Sequence, residues 1–216
     1  MEDLIDQSIT VCDYMLDPAS PRIPRTLLSK CAGVAIFHSV SAAAFVSASA
    51  ANGILLRRDD GFDEWSPPSA ISMHNVGVGI TFGLKKSDII MVLMDDTAVQ
   101  VLSGDKQVQI GANMSVVAGP TEWAVDQDVA INSSKQGSGL TYCYSLSEGA
   151  FAGFSLETGV LSARKQINSD FYKSEASPNV ILFARGAVSF PEGSRVPELH
   201  KKLNMMERGV VSAPKV

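Results

Sequence analysis

The sequence predicts an α+β domain: a strongly twisted antiparallel sheet, curled toward a barrel, with peripheral N- and C-terminal helices. Three observations predict it. Residues 32–56, AGVAIFHSVSAAAFVSASAANGILL, form a 25-residue run without Asp, Glu, Lys or Arg. From there to about residue 165, short apolar runs recur between clusters of Gly, Pro, Ser and Asp, the punctuation of strands. Helical periodicity is confined mainly to the two ends of the chain.

The uncharged run has the length of a membrane span, since a bilayer core of roughly 30 Å takes about 20 apolar residues. Its composition points elsewhere. Ser39, Ser41, Ser47, Ser49, His38 and Asn52 interrupt it, and Ala stands where a span would carry Leu, Ile and Phe. It reads as protein core, with strands at 34–40, 43–49 and 53–58 whose small side chains let neighbouring backbones approach closely.

Ahead of it, Leu4, Ile5, Ile9, Cys12, Met15 and Leu16 fall on one arc of a helical wheel, with Asp3, Asp6, Asp13 and Asp17 opposite. An acidic polar face suits a helix laid on the protein core, because a membrane-surface helix favours Lys and Arg. Pro18, Pro21 and Pro24 then stiffen the connector, and a short helix over 25–31 stops near Gly33.

After the core run, residues 57–61 make a charged turn, and Pro68 keeps residues 65–71 from being a central strand. Strands follow at 76–84 and 88–94, separated by Lys85-Lys86-Ser87. The second is apolar on both sides and so central. Asp96 caps a helix over 97–102. Residues 108–117 read as a strand pair around Gly111, and 126–138 as a loop. Strands at 140–146, 150–156 and 160–165 form three antiparallel neighbours, with Glu157-Thr158-Gly159 as a hairpin loop. Residues 168–172 make a capped turn. A terminal helix over 197–208 puts Leu199, Leu203 and Met206 on one face, with Gly209 beyond its end.

At 216 residues with no linker-like tract, the chain reads as a single domain, 1–216, with an acidic helix at 1–17, a core at 23–173 and a terminal helix at 197–208. Hydrophobic residues at 45% against 19% charged belong to a globular protein. The net charge of −5 resides in the first 20 residues, which hold five acids and no Lys or Arg, and leave 18 acidic against 18 basic side chains elsewhere. No basic footprint exists, so nucleic acid is not expected as a partner. Cys12, Cys31 and Cys143, odd in number and widely spaced, fit reduced thiols. The N-terminal residues lack the basic, apolar pattern of a secretory signal, and the expected location is cytoplasmic.

Catalytic patterns are missing. His38, His74 and His200 have no motif around them, and His38 inside the buried run reads as a core histidine bonded to backbone. Gly137-Ser138-Gly139 is a turn, not a nucleophile elbow. Val76-Gly77-Val78-Gly79, with Gly83 beyond, has the wrong spacing for a phosphate loop. The clusters Asp59-Asp60, Asp63-Glu64 and Asp95-Asp96 lack calcium-loop spacing. The residues therefore predict no enzyme, no metal and no cofactor.

Several motifs do carry a resemblance. Ile23-Pro24, Trp65-Ser66-Pro67-Pro68-Ser69-Ala70-Ile71, the stretch from Gly111 to Gly119-Pro120, and Gly149-Ala150-Phe151-Ala152-Gly153-Phe154-Ser155-Leu156-Glu157 come in order, and Arg164-Lys165 with Asn168, Phe171 and Tyr172 continue them. Across about residues 23–173 the chain resembles the SYLF domain family, with its Ysc-type and plant FYVE-associated relatives. The resemblance implies a non-enzymatic lipid-binding adaptor in membrane trafficking or cortical actin organisation, peripherally bound to anionic phospholipid, phosphoinositides above all. Actin or a trafficking protein is the implied protein partner. The alternatives are an actin-binding protein-interaction module and a carrier enclosing a hydrophobic ligand. Ser41, Ser49, Trp123, Leu146 and Glu148 stand where relatives commonly carry basic residues. The lipid-binding expectation therefore falls on Arg22, Arg25 and Lys30, with Arg57 and Arg58 beside them, and the acidic leader is placed to cover these bases.

Overall fold

Residues 32–56 fold chiefly as two long strands rather than three short ones. β1 (Gly33–Ala43) and β2 (Val46–Asp59) pair antiparallel from Gly33↔Arg57 to Ala43↔Ser47. The chain is seen here in a computed structural model that describes residues 1–20, 22–43, 46–59, 64–78, 83–104, 108–109, 115–118, 140–147 and 159–210. The break expected between the strands at 43–49 and 53–58 is absent: Asn52 and Gly53 both lie inside β2. The glycine is there for contact: a Cβ on Gly53 would sit 2.1 Å from the Ile36 carbonyl oxygen. Small residues thus allow backbone approach, as expected, but within one uninterrupted strand.

The remaining described strands are β3 (Glu64–Trp65), β4 (Ser69–Val78), β5 (Gly83–Leu93), β6 (Val108–Gln109), β7 (Ser115–Ala118), β8 (Leu140–Ser147) and β9 (Gly159–Ala163). Their order is β6-β9-β4-β2-β1-β5-β8-β7, with β3 paired to the end of β2. The pairings are antiparallel except β7 with β8. β4 begins directly after Pro68 but lies between β9 and β2, so residues 69–71 do belong to a central strand. The proline sets only where the strand starts, which corrects the expectation for 65–71, while β5 is central as expected, between β1 and β8. Lys85, Lys86 and Ser87 lie within β5 and pair with Ser41, Val40 and Ser39, so they are not a separator.

One expected pairing is corrected: β6 and β7 do not pair with each other; they form opposite edges of the sheet. β8 joins β5, and β9 joins β4. The strand expected at 150–156, the link between those at 140–146 and 160–165, lies outside the described residues, as do the loop at 126–138 and Gly111. Laid flat, eight strands would span about 34 Å at a spacing of about 4.8 Å. Gln109 and Ser115 are six residues apart, a reach of at most about 21 Å. The two edges must therefore come together, and the sheet curls into a half-barrel.

Helices cover both faces. On one, α1 (Glu2–Leu16) and α6 (Val196–Arg208) bury Ile5, Ile9, Cys12, Leu199, Leu203 and Met206 against Val34, Ile36, Ile54, Leu56, Ile90, Val92 and Tyr144. On the other, α3 (Asp96–Ser103) lays Ala98, Val99 and Leu102 against Ala35, Leu55, Met91 and Leu93, joined by Leu182 of α5 (Pro178–Phe183). The α3 cap is Asp95, one residue before the expected Asp96: its carboxylate accepts from the Ala98 N–H at 2.8 Å. The expected short helix after Pro24 is a single turn, α2 (Arg25–Leu28). α4 (Lys165–Tyr172) is a helix where only a capped turn was expected, and α5 was not anticipated. Gly209 ends α6 with a left-handed φ of 62°.

Among the described residues, no helix is long and apolar enough to cross a membrane.

Candidate functional site

Arg57 and Arg58 are adjacent on β2, and side chains alternate across a strand, so they face opposite sides of the sheet. Arg57 lies on the α3 side. Its guanidinium donates to both carboxylate oxygens of Asp96, at 2.9 and 3.1 Å, and stacks 4.6 Å over the Phe183 ring. Arg58 turns toward α2 and α6. Its Nη1 donates to the Leu28 and Ser29 carbonyls at 3.2 and 2.8 Å, and its Nη2 meets Glu207 at 2.6 Å. These carbonyls lie at the C-terminal end of α2, where the helix leaves carbonyls without intrahelical donors; the Leu28 carbonyl also accepts from the Cys31 thiol at 3.2 Å. Arg58 is thus a positioning residue: it holds the helical turn that carries the exposed bases.

That turn follows Pro24, buries Leu27 and Leu28 and leaves Arg25, Thr26, Ser29 and Lys30 exposed. Arg25 reaches the end of α6, where its Nη2 donates to the Gly209 carbonyl at 3.3 Å. Arg22 and Arg25 share a shallow depression whose other lining residues are Met15, Leu16, Ile23, Leu28, Met206, Gly209 and Val210. No acidic side chain lines it among the described residues. The depression is therefore apolar at its floor and cationic at its rim. Lys30 is exposed but does not line it. Of the five bases expected to bind lipid, the structure brings Arg22 and Arg25 together, places Lys30 on the same turn-and-loop segment, sets Arg58 underneath and Arg57 on the opposite face.

The acidic leader meets other partners. Asp6 of α1 pairs with Arg195 at 2.8 Å, and Asp13 pairs with Lys202 of α6. α1 and α6 are joined by charge as well as by their apolar faces, while Met15 and Leu16 of α1 form part of the depression. The contributions of Met206, Gly209 and Val210 had no signal in the sequence, because only the tertiary fold brings them beside residues 22–28.

The three cysteines are poor nucleophiles. Burial pushes the Cys12, Cys31 and Cys143 thiols up to about 12, so they stay protonated at neutral pH. His38 is held by a carboxylate rather than by backbone, its Nδ1 lying 2.6 Å from Asp88 Oδ1; this corrects the expected partner. Burial holds His200 below the ordinary histidine range, and its Nε2 lies 3.0 Å from the Ser66 carbonyl. No group of three metal-ligating side chains converges among the described residues.

The signature residues named above interlock. Trp65 Nε1 donates to Asn204 Oδ1 at 2.8 Å, tying β3 to α6. Asn168 accepts from the Ala70 N–H at 2.7 Å and donates to Ser69 Oγ at 3.0 Å, while the Tyr172 hydroxyl donates to the Pro68 carbonyl at 2.6 Å. The two separated motifs thus form one clamp, with α4 fixing the start of β4.

Comparison with known proteins agrees with this pattern. Residues 74–206 match the family described as Ysc84, Las17-binding protein actin regulator. The rat SH3 domain-containing YSC84-like protein 1 is 33% identical over 183 residues, covering 84% of this chain and 51% of that protein. Its human counterpart is 36% identical over 162 residues, 74% of this chain and 46% of that protein. Protein YSC84 of Saccharomyces cerevisiae is 33% identical over 164 residues, 76% of this chain and 34% of that protein. The chain spans about half the length, or less, of these relatives. With the family match running through more than half of its residues and the signature clamp in place, the chain belongs to the Ysc84 family, whose domain is the SYLF domain.

Proposed function

We propose that this chain is a non-enzymatic adaptor domain of the actin-regulating class, which meets anionic membrane, phosphoinositides in particular, through Arg22, Arg25 and Lys30. The adaptor role is supported by the family description, Las17-binding protein actin regulator, and by the yeast relative named LAS seventeen-binding protein 3. An actin-regulatory protein is accordingly the partner proposed here, and a cytoplasmic, peripherally membrane-bound location follows from that role.

One observation carries the membrane contact. Arg22 and Arg25 line a depression otherwise lined mostly by apolar side chains, with no acidic lining residue among the described residues. Each Lys or Arg near an anionic surface contributes about 1 kcal/mol, and the apolar floor adds area that headgroups and upper acyl chains can cover. Arg57 and Arg58 are engaged within the fold and contribute by placing the turn.

The test is sedimentation with phosphoinositide vesicles at two salt concentrations, beside co-sedimentation with actin filaments in the absence of lipid. The triple variant Arg22→Glu, Arg25→Glu, Lys30→Glu is expected to lose at least about 100-fold in vesicle affinity, by the same per-charge value. Wild-type binding should weaken as salt rises. Vesicle binding that survives the triple variant would remove the membrane reading, and a chain that binds neither vesicles, filaments nor an actin-regulatory protein would remove the adaptor reading.

A further inference from the structure

Serine is followed by proline at three places in this chain, Ser20-Pro21, Ser66-Pro67 and Ser177-Pro178. A proline has no N–H to donate, and it disfavours helical backbone at the residue before it, so each of these serines sits on extended or turning chain. Two of the three hydroxyls are committed to the fold. Ser66 Oγ accepts from the Arg57 N–H at 2.9 Å and donates to the Pro67 carbonyl at 3.0 Å, between β3 and β4. Ser177 caps α5, its Oγ accepting from the Val180 N–H at 3.3 Å. The Ser20 hydroxyl has no hydrogen-bond partner among the described residues.

Ser20 also lies where a second protein can reach it. It belongs to the connector between α1 and α2, in which Asp17, Pro18 and Ala19 are exposed and Ser20 is partly so. The bonds there are local: the Ala19 N–H donates to Asp17 Oδ1 at 2.8 Å, and the Ser20 N–H to the Asp17 carbonyl at 3.1 Å. Such a segment can enter an enzyme cleft without opening the sheet or unwinding α1.

The charges on its two sides differ in sign. Behind it are Asp17 and the C-terminal end of α1, whose last turn holds no basic residue, and both repel an anion. Ahead of it are Arg22 and Arg25, the two bases of the depression. The Cα atoms of Ser20 and Arg22, two residues apart, are at most about 7 Å from each other, well within reach of an arginine side chain. An anion placed on Ser20 is therefore driven from α1 toward Arg22.

We propose that Ser20 is a phosphorylation site for a proline-directed serine/threonine kinase, and that its phosphate closes the Arg22 and Arg25 patch to anionic membrane. In the transfer, Ser20 Oγ bonds to the γ-phosphorus of ATP as the bond from that phosphorus to the bridging oxygen breaks; ADP leaves, and the hydroxyl proton passes to the kinase's catalytic base. The product carries a charge of about −2 and strong acceptor oxygens, which the planar Arg22 guanidinium can meet with two parallel N–H bonds. The patch then offers about two fewer positive charges to a membrane. This last consequence rests on the membrane reading of α2 given above; the acceptor site and its bond to Arg22 do not.

The full chain is incubated with ATP and a purified proline-directed kinase, and the modified residues are mapped by mass spectrometry. Phosphate is expected on Ser20 ahead of Ser66 and Ser177, and Ser20→Ala should abolish that modification. Phosphorus NMR then follows the second ionisation of the phosphate: it should fall below the ordinary value of about 6, and Arg22→Gln should return it toward that value. In sedimentation with phosphoinositide vesicles, the phosphorylated chain should bind about 30-fold more weakly than the unmodified one, as expected for two offset bases. No phosphate on Ser20, or phosphate on Ser66 or Ser177 in preference to it, would overturn the site. A phosphate ionisation that Arg22→Gln leaves unmoved, or equal vesicle affinity with and without phosphate, would overturn the switch. An unmodified chain that fails to bind vesicles removes the membrane reading of α2 and the switch with it, whereas the acceptor site and its bond to Arg22 are still decided by the mapping and the phosphorus titration.

Discussion

Arg58 and Glu207 meet at 2.6 Å in a place where their side chains are only 10% and 15% exposed. This pair joins β2 to α6, and Arg58 also holds the end of α2. A buried charge stripped of its partner is costly, whereas a matched apolar pair of similar volume can be neutral or better. Glu207→Gln and Arg58→Ala are each expected to cost about 3 kcal/mol. The double variant Arg58→Met, Glu207→Leu should be closer to wild type than either single change. Urea unfolding of the three variants measures this. A Glu207→Gln loss near zero beside full losses in Arg58→Ala and the double variant would mean that the carbonyl contacts of Arg58, not its charge pairing, dominate.

Asn168 is 1% exposed and satisfies two groups at the start of β4, the Ala70 N–H and the Ser69 hydroxyl. Asn168→Ala leaves the Ala70 donor buried and unpaired, with an expected loss of about 3 kcal/mol. Tyr172→Phe removes a single hydroxyl bond to the Pro68 carbonyl and should cost about 1 kcal/mol. Chemical denaturation of both variants tests the ranking. A Tyr172→Phe loss exceeding that of Asn168→Ala would show that the clamp depends chiefly on the tyrosine.

Much of the fold was legible because local chemistry and tertiary context agree. The 3.6-residue stripe of α1, the Gly209 stop of α6 and the Pro68 boundary of β4 each follow from one physical rule. The misreadings share a different cause. The break expected between 49 and 53 is absent because glycine in sequence does not reveal whether it marks a strand end or a close approach; the Ile36 carbonyl beside Gly53 decides. β6 and β7 look like a hairpin, yet barrel curling makes near neighbours in sequence into opposite edges. α5 carried a signal that went unread, Ser177 as cap followed by Pro178, and its Val180 N–H does bond to the Ser177 hydroxyl. At the candidate site, charge alone grouped Arg57 and Arg58 with Arg22, Arg25 and Lys30. Strand alternation, applied to adjacent residues, already separates Arg57 from Arg58.

Glycine substitutions give a sharp internal comparison. An Ala Cβ at Gly53 would meet backbone atoms only, at 2.1 Å from Ile36 O and 2.9 Å from both Ile36 C and Phe37 Cα. Neither partner can rotate aside, so the β1–β2 ladder must open. A loss of at least about 3 kcal/mol is expected, the upper end for overpacking. At Gly104 the nearest atoms are 3.5 Å away and φ is −68°, a conformation any residue adopts. Gly104→Ala should therefore be neutral or stabilise by up to about 1 kcal/mol through the unfolded chain. Thermal unfolding of the two variants side by side decides it; a mild Gly53→Ala would mean that the hairpin tolerates separation at its middle.

His200 links stability to pH. Burial lowers its pKa, against the smaller opposing effects of the Ser66 carbonyl bond and the Glu64 charge, and the Phe190 ring lies edge-on at 6.1 Å. A histidine whose folded pKa is depressed binds protons more readily when unfolded. Its contribution is therefore fully present above the unfolded value of about 6.5 and is lost as pH falls through the folded value. His200→Gln keeps an N–H able to reach the Ser66 carbonyl but cannot titrate. Between about pH 7 and pH 5, wild type should lose stability faster than His200→Gln, although the variant starts lower at neutral pH. Carboxylates such as Glu198, whose pKa is lowered by its bond to Arg195, act at more acidic pH and are common to both proteins, so they cancel in the difference. Parallel urea curves at several pH values measure that difference. A gap between the two proteins that stays constant from pH 7 to pH 5 would show that His200 takes up its proton equally well folded and unfolded, and that its burial beside Ser66 carries no electrostatic cost.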